Sequence, residues 1–168
     1  MSTDEISADE IRAIELLGRV SYGRVATSMR AMPFVAPARH VVSDGRVVIR
    51  MHRGLGYHRA CNGSVVAYGA DNFSSGAGRI WSVQFTGTAE IVEPTEAELA
   101  AFGPEPRTVD DEPFVAVYLR IEPQFVTVHE LDYSSDVPAR PAELPGVRGS
   151  ELTSTELHSV ERHLPHVA

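Results

Sequence analysis

Lysine is missing from this chain altogether: its 168 residues include 15 basic side chains, and every one is arginine. Any anion site must therefore be built from arginine, histidine, hydroxyls or backbone N–H groups, and Schiff-base chemistry through a lysine amine is excluded. Cysteine is nearly missing as well. The single Cys61 rules out an intrachain disulfide and a cysteine cage for a metal, and it reads as a small buried apolar residue before it reads as a nucleophile. No apolar run approaches the roughly 20 residues that a membrane-spanning helix requires. The formal net charge is −8, the wrong sign for a nucleic-acid surface. Met1 to Glu10 is acidic and lacks the basic and apolar regions of a secretory signal, so cytoplasmic residence is the expectation. No phosphate loop, nucleophile elbow or catalytic-triad pattern occurs.

What is present is a one-domain chain with an ordinary apolar fraction of 43%. Ser7 followed by Glu10 forms a capping-box pattern, flanked by Ile6 and Ile11 at staple positions. Ile11, Ile14 and Leu17 continue as a helical stripe, and Gly18 is its expected stop. Strand patterns follow over 19–28 and 32–42. Ser43-Asp44-Gly45 marks a tight turn into a returning strand over 46–51. Residues 55–62 read as a short helix, 64–70 as a strand and 72–78 as a glycine-serine connection. A long strand is expected over 79–92. Pro94 is expected to open a helix that stops before Gly103-Pro104. Strand character returns over 113–131, where Pro123 demands an edge, bend or bulge.

The architecture implied is mainly β with peripheral helices, six antiparallel strands closing so that no edge is left exposed. The expected division is a barrel domain over 1–133, then an extended linker rich in proline and glycine with a last short helix over 134–168. His158, His163 and His166 lie in that tail. The first two are five residues apart, so they do not share a helix face, and Pro165 interrupts the last pair; no metal site is expected.

Several segments, in order, resemble the pyridoxamine 5'-phosphate oxidase-like split barrels. Gly23-Arg24-Val25-Ala26-Thr27 is similar to their opening strand, and residues 37–50 to the hairpin that follows. Trp81 to Glu90 is similar to their long central strand, and Tyr118 to Pro123 to the last core strand. The resemblance runs over about residues 8 to 131. It implies a six-stranded antiparallel split β-barrel, a homodimer, and a cofactor between subunits: FMN in most members, a deazaflavin coenzyme in others, haem in a few.

The same resemblance selects candidate cofactor-binding residues. Arg50, Met51, His52 and Arg53 follow a strand and precede a short helix, which suits a phosphate because arginine offers bidentate donors. Members commonly place a lysine with serine or threonine near 55–57, where this chain has Leu55-Gly56-Tyr57; His58 and Arg59 in the next turn are candidate substitutes. Arg39 and His40 lie on the strand that runs beside the flavin ring, and strand alternation allows at most one of them to face it. His40 is the candidate catalytic group, as a proton donor to substrate. Trp81, Ser82 and Val83 open the best-matching strand, with Ser82 a partner for ring heteroatoms and Trp81 a stacking surface.

The expected function is an FMN-dependent oxidoreductase acting on an unidentified small molecule. A deazaflavin-dependent reductase of the same fold is the first alternative. A non-catalytic flavin or haem carrier is the second, with His40, His52 or His58 as haem ligands. The tail beyond residue 150 is a candidate lid over the partner's pocket.

Overall fold

A computed structural model describes residues 7–133; the expected linker, final helix and lid, with the three tail histidines, lie outside the described residues. Helix α1 spans Ala8–Leu17 and starts where the Ser7 hydroxyl accepts a hydrogen bond from the Glu10 amide at 3.2 Å. It buries Ala13, Leu16 and Leu17 and ends at Gly18. The chain unwinds through Arg19 and Val20, whose amides still donate to Leu16 and Leu17. The first strand is therefore delayed: β1 runs Tyr22–Met29, not from Arg19.

Strands β2 (Met32–Ser43) and β3 (Arg46–His52) form the expected hairpin. Asp44 and Gly45 both take positive φ, 51° and 73°, the geometry that matches a two-residue turn to the strand twist. A turn of 3-10 helix at Arg53–Leu55 leads to α2 (Tyr57–Cys61), then β4 (Ser64–Asp71) and β5 (Arg79–Ile91). Helix α3 (Glu96–Phe102) begins at Thr95 with a complete capping box to Glu98. Pro94 thus lies just outside the helix rather than in its first turn. A small hairpin unforeseen in the sequence follows: β6 (Thr108–Val109) and β7 (Glu112–Pro113), joined by Asp110 and Asp111 at φ 48° and 65°. Strand β8 (Ala116–Asp132) completes the barrel.

Six strands close in the order β1-β2-β3-β8-β5-β4, every pair antiparallel. Pro123 sits in a bulge: Thr86 pairs with Phe125 but Gly87 with Pro123, which leaves Gln124 over. Gly87 is required there, because a Cβ would run into the Glu122 carbonyl.

Alternation fills the interior. Val25, Ile49, Val66, Tyr68, Trp81, Phe85, Leu119 and Ile121 point inward and pack with Leu16 and Leu17 of α1. Strand β3 departs from alternation. It is buried on both faces, and its outward Arg50 lies under the Phe102 ring of α3, 5.2 Å from the centroid. Helix α3 and the chain after it therefore roof one outer patch of the barrel.

Candidate functional site

The roof encloses a cavity of about 170 Å³ on the outer side of β2 and β3. Pro37, Arg39 and Arg50 point into it from the strands, because odd positions of β2 and even positions of β3 face outward. Tyr22 and Tyr57 form side walls, and Tyr57 is stacked on Phe34 with ring centroids 4.4 Å apart. Pro106, Val109 and Phe114 close it from the chain after α3. The lining is mostly apolar, with the two arginines as its charged groups.

Those arginines are directly opposed in the β2–β3 register. Arg39 Nε donates to the Phe102 carbonyl at 2.8 Å, and its guanidinium lies 5.5 Å from the Tyr22 ring. Arg50 Nη1 and Nη2 donate to the Gly103 and Pro104 carbonyls, each at 3.0 Å. A helix end leaves such carbonyls without intrahelical partners, and guanidinium groups are well suited to them. The two nitrogens at the tip of Arg39 have no acceptor among the described residues.

The expected phosphate cluster is not assembled. Arg50 is 4% exposed and spends both terminal nitrogens on the roof. Arg53 is exposed and lies outside the cavity. His52 does line it, yet its Nδ1 accepts the Val115 amide at 3.1 Å and its Nε2 edge sits against Gly54, where a Cβ would collide with it. Met51 contributes to the lining from a buried position. Helix α2 has only five residues, too few for a useful dipole at its start.

His40 faces inward, where it cannot meet a substrate in this cavity. Its Nε2 lies 2.9 Å from the Leu17 carbonyl and its Nδ1 2.6 Å from the Tyr68 hydroxyl. A neutral ring with its proton on Nε2 satisfies both contacts. Burial, and then the charge of Arg39, push its pKa down against the raising effect of the backbone contacts. His40 is therefore a brace between helix and barrel, and the expectation of a proton donor is corrected.

His58 lies on the buried face of α2, 6% exposed, and its Nδ1 has no hydrogen-bond partner among the described residues. Burial lowers its pKa, helped by Arg59 and Arg53. Trp81 and Val83 are core residues, which removes Trp81 as a stacking surface. Ser82 faces outward but lines a separate polar cleft with Asp71 and His129. The sequence reading missed Tyr22, Tyr57, Pro106, Val109 and Phe114. The Asp110-Asp111 turn flanked by Val109 and Phe114 was the available signal for the last two.

Among the described residues no helix is long and apolar enough to cross a membrane. The closed six-strand order defines a split-barrel protein. Residues 9–130 match the family model described as pyridoxamine 5'-phosphate oxidase, and the chain belongs to that family. An uncharacterised protein of Mycobacterium tuberculosis is 35% identical over 97 residues, 54% of this chain and 64% of that protein's length. Among solved structures, an FAD-binding protein of Mycobacterium smegmatis superposes with a TM-score of 0.59 at 24% identity, covering 74% of this chain and 97% of the other. A haem-binding protein of the same organism superposes at 0.53 with 14% identity, covering 75% of this chain and 58% of the other. At these identities the two superpositions establish the shared split-barrel fold.

Proposed function

We propose that the chain is a cytoplasmic oxidoreductase that uses a flavin, FMN by the family resemblance, on a small-molecule substrate. The observation that carries this reading is the β2–β3 cavity: a mostly apolar recess between Tyr22 and Tyr57 with the uncommitted tip of Arg39 at its edge. A flat conjugated ring needs apolar walls, and its carbonyl oxygens need donors. When bound, the flavin supplies the hydride chemistry, and the protein supplies position and charge. Arg39 orients the ring and favours negative charge on it. Arg50 holds the roof in place. Tyr22 and Tyr57 exclude water from the two sides. The residues present fit the ring better than they fit a clustered phosphate site.

We also propose that the working form is a homodimer. One cross-strand row on the outer face reads Val35, Ala26, Ala67, Thr86, Phe125. Val35 is 63% exposed and Phe125 72%, so the row offers apolar surface to a second copy. The haem alternative loses support from the histidine geometry: both ring nitrogens of His40 are engaged, both of His52 are engaged or covered, and His58 is buried.

The test is the visible absorbance of the purified protein before and after adding flavin, with size-exclusion chromatography of the same sample. A bound flavin spectrum that weakens in Arg39→Met, on a dimer, is the expected result. A protein that takes up no flavin or deazaflavin refutes the reading.

A further inference from the structure

One wall of the ring cavity belongs to the shortest α-helix of the chain. Tyr57, the first residue of α2, lines the cavity and stacks on Phe34 of β2 with ring planes 17° apart. The next residue, His58, turns into the protein, and Cys61 lies one turn further along the same buried face. Cys61 is fully buried and His58 is 6% exposed.

The surroundings of His58 suit only its neutral form. Its Nδ1 is buried and has no hydrogen-bond partner among the described residues. Adding a proton would bury an unpaired charge, which costs far more than an unpaired neutral nitrogen. The charges that act on the ring are those of Arg59 on its own helix and Arg53 in the preceding turn, both positive. Helix α2 packs on β1, β4 and β5. Arg24 and Asp71 pair with each other toward the far ends of β1 and β4. Tyr68 of β4 is committed to His40 and Ala38. On β5, Arg79 pairs with Asp132 at the far end, and Glu90 lies in an outer cleft.

The helix is fixed at one end and hinged at the other. Asn62 Oδ1 accepts the Ile91 amide at 2.9 Å, and the Gly63 amide donates to the Ala89 carbonyl at 2.7 Å, so β5 holds the C-terminal end. The N-terminal end hangs on Gly56, whose amide donates to the Arg53 carbonyl at 3.1 Å. Gly56 and Gly63 have φ of 75° and 74°, and a Cβ at either would meet nothing within 4 Å. Glycine serves backbone conformation at these two points, not space, and such residues can absorb the rotation of a hinge.

We infer that α2 is an acid-operated gate on the ring cavity: protonation of His58 turns the N-terminal half of the helix away from the barrel about its Asn62–Gly63 anchor and takes Tyr57 out of the cavity wall. The sign follows from burial. It places the folded pKa of His58 below the ordinary value, so the closed form is fully favoured above about pH 6.5 and loses ground as pH falls toward the folded value. The consequence for a bound ring rests on the function proposed above; the opening of α2 does not.

Cys61 is the single cysteine of the chain and reports the opening. The experiment labels the full chain with 4,4'-dithiodipyridine between pH 7.5 and 5, each rate divided by that of the urea-unfolded chain at the same pH. Labelling then follows the population of the open form. The expected result is a relative rate that climbs below about pH 6.5, by at most about tenfold per pH unit, the limit for one proton. Near-UV circular dichroism should remain native over the same range. His58→Phe fills the site without a titrating group and should abolish the climb; His58→Gln, an amide that does not titrate, takes its place if the first variant does not fold. A relative rate independent of pH, a climb that survives in the variant, or one that coincides with loss of the native dichroism overturns the gate. If flavin binds, its release should quicken over the same pH range in the wild type alone, and release indifferent to pH overturns the link to the cavity. If no flavin binds, the ring reading fails by itself, and the labelling still decides whether α2 opens.

Discussion

Arg39 and Arg50 face each other across the β2–β3 ladder and between them hold three consecutive carbonyls, those of Phe102, Gly103 and Pro104. The pair fastens the end of α3 to the barrel and so makes a cavity out of a sheet face. The two differ in exposure. Arg50 is buried and its fork is fully used, whereas Arg39 is half-buried and keeps its tip for another partner.

That difference separates their variants. Arg50→Met should cost about 2–3 kcal/mol, since charged hydrogen bonds are lost and two carbonyls are left without donors. Differential scanning calorimetry should show a Tm lower by roughly 5–10 °C. Arg39→Met should lower Tm much less and weaken flavin binding more. A reversed order would mean that Arg39 is the structural member of the pair.

Acid should destabilise the protein in two stages. His40 and His58 have folded pKa values below the ordinary value of about 6.5. The unfolded chain therefore binds their protons first, and the stability they contribute is present above about pH 6.5 and lost as pH falls through the folded values. Glu98 acts lower. Burial pushes its carboxyl up, but hydrogen bonds from Thr95 and Ser43 and the charge of Arg120 outweigh that and hold it down. Its contribution is present above the ordinary carboxylate value and disappears as pH falls through the folded one. Urea midpoints measured between pH 8 and 3 should fall in this order, and Glu98→Gln should flatten the lower stage.

Cys61 is fully buried, and burial pushes its thiol up to about 11. It should be inert to a thiol reagent at pH 8 in the folded protein and react fully in urea. Rapid labelling of the native chain would show that α2 opens readily from the barrel.

Gly87→Ala and Gly69→Ala make a matched pair. The first drives a Cβ into the Glu122 backbone at the bulge, and a loss of about 2 kcal/mol or more is expected. The second meets an ordinary contact at 3.7 Å and should be neutral or slightly stabilising. Thermal melts of the two variants check both signs.

Much of the barrel was legible along the chain because its signals are local. Ser7 with Glu10 capped α1, Asp44-Gly45 turned the first hairpin, and Pro123 announced a bulge. Missed features depended on neighbours distant in sequence. Helix α3 was foreseen, but not that Arg39 and Arg50 would draw its end across β2 and β3. The hairpin over 108–113 carried only a pair of aspartates as a turn signal, and aspartate is an unusual choice for two successive left-handed positions.

The candidate site divided along the same line. Strand alternation required Arg39 and His40 to face opposite ways, and Trp81 and Ser82 likewise. Nothing local said which residue of each pair faced the core. Closure of the ring decided it. The face that receives Leu16 and Leu17 of α1 must take His40 and Trp81, and the other face takes Arg39 and Ser82.

The sequence by itself determined the six barrel strands and the helices, their order and the supply of arginine as the cationic partner for anions, because propensity, turn chemistry and composition act within a few residues. Only the tertiary structure decided where charge is free and where it is spent. Arg50 reads like an anion ligand until the end of α3 is placed beside it, and His40 reads like a proton donor until the Leu17 carbonyl and Tyr68 are. A polar group's role is set by which partner reaches it first, and those partners come from elements far away in the chain.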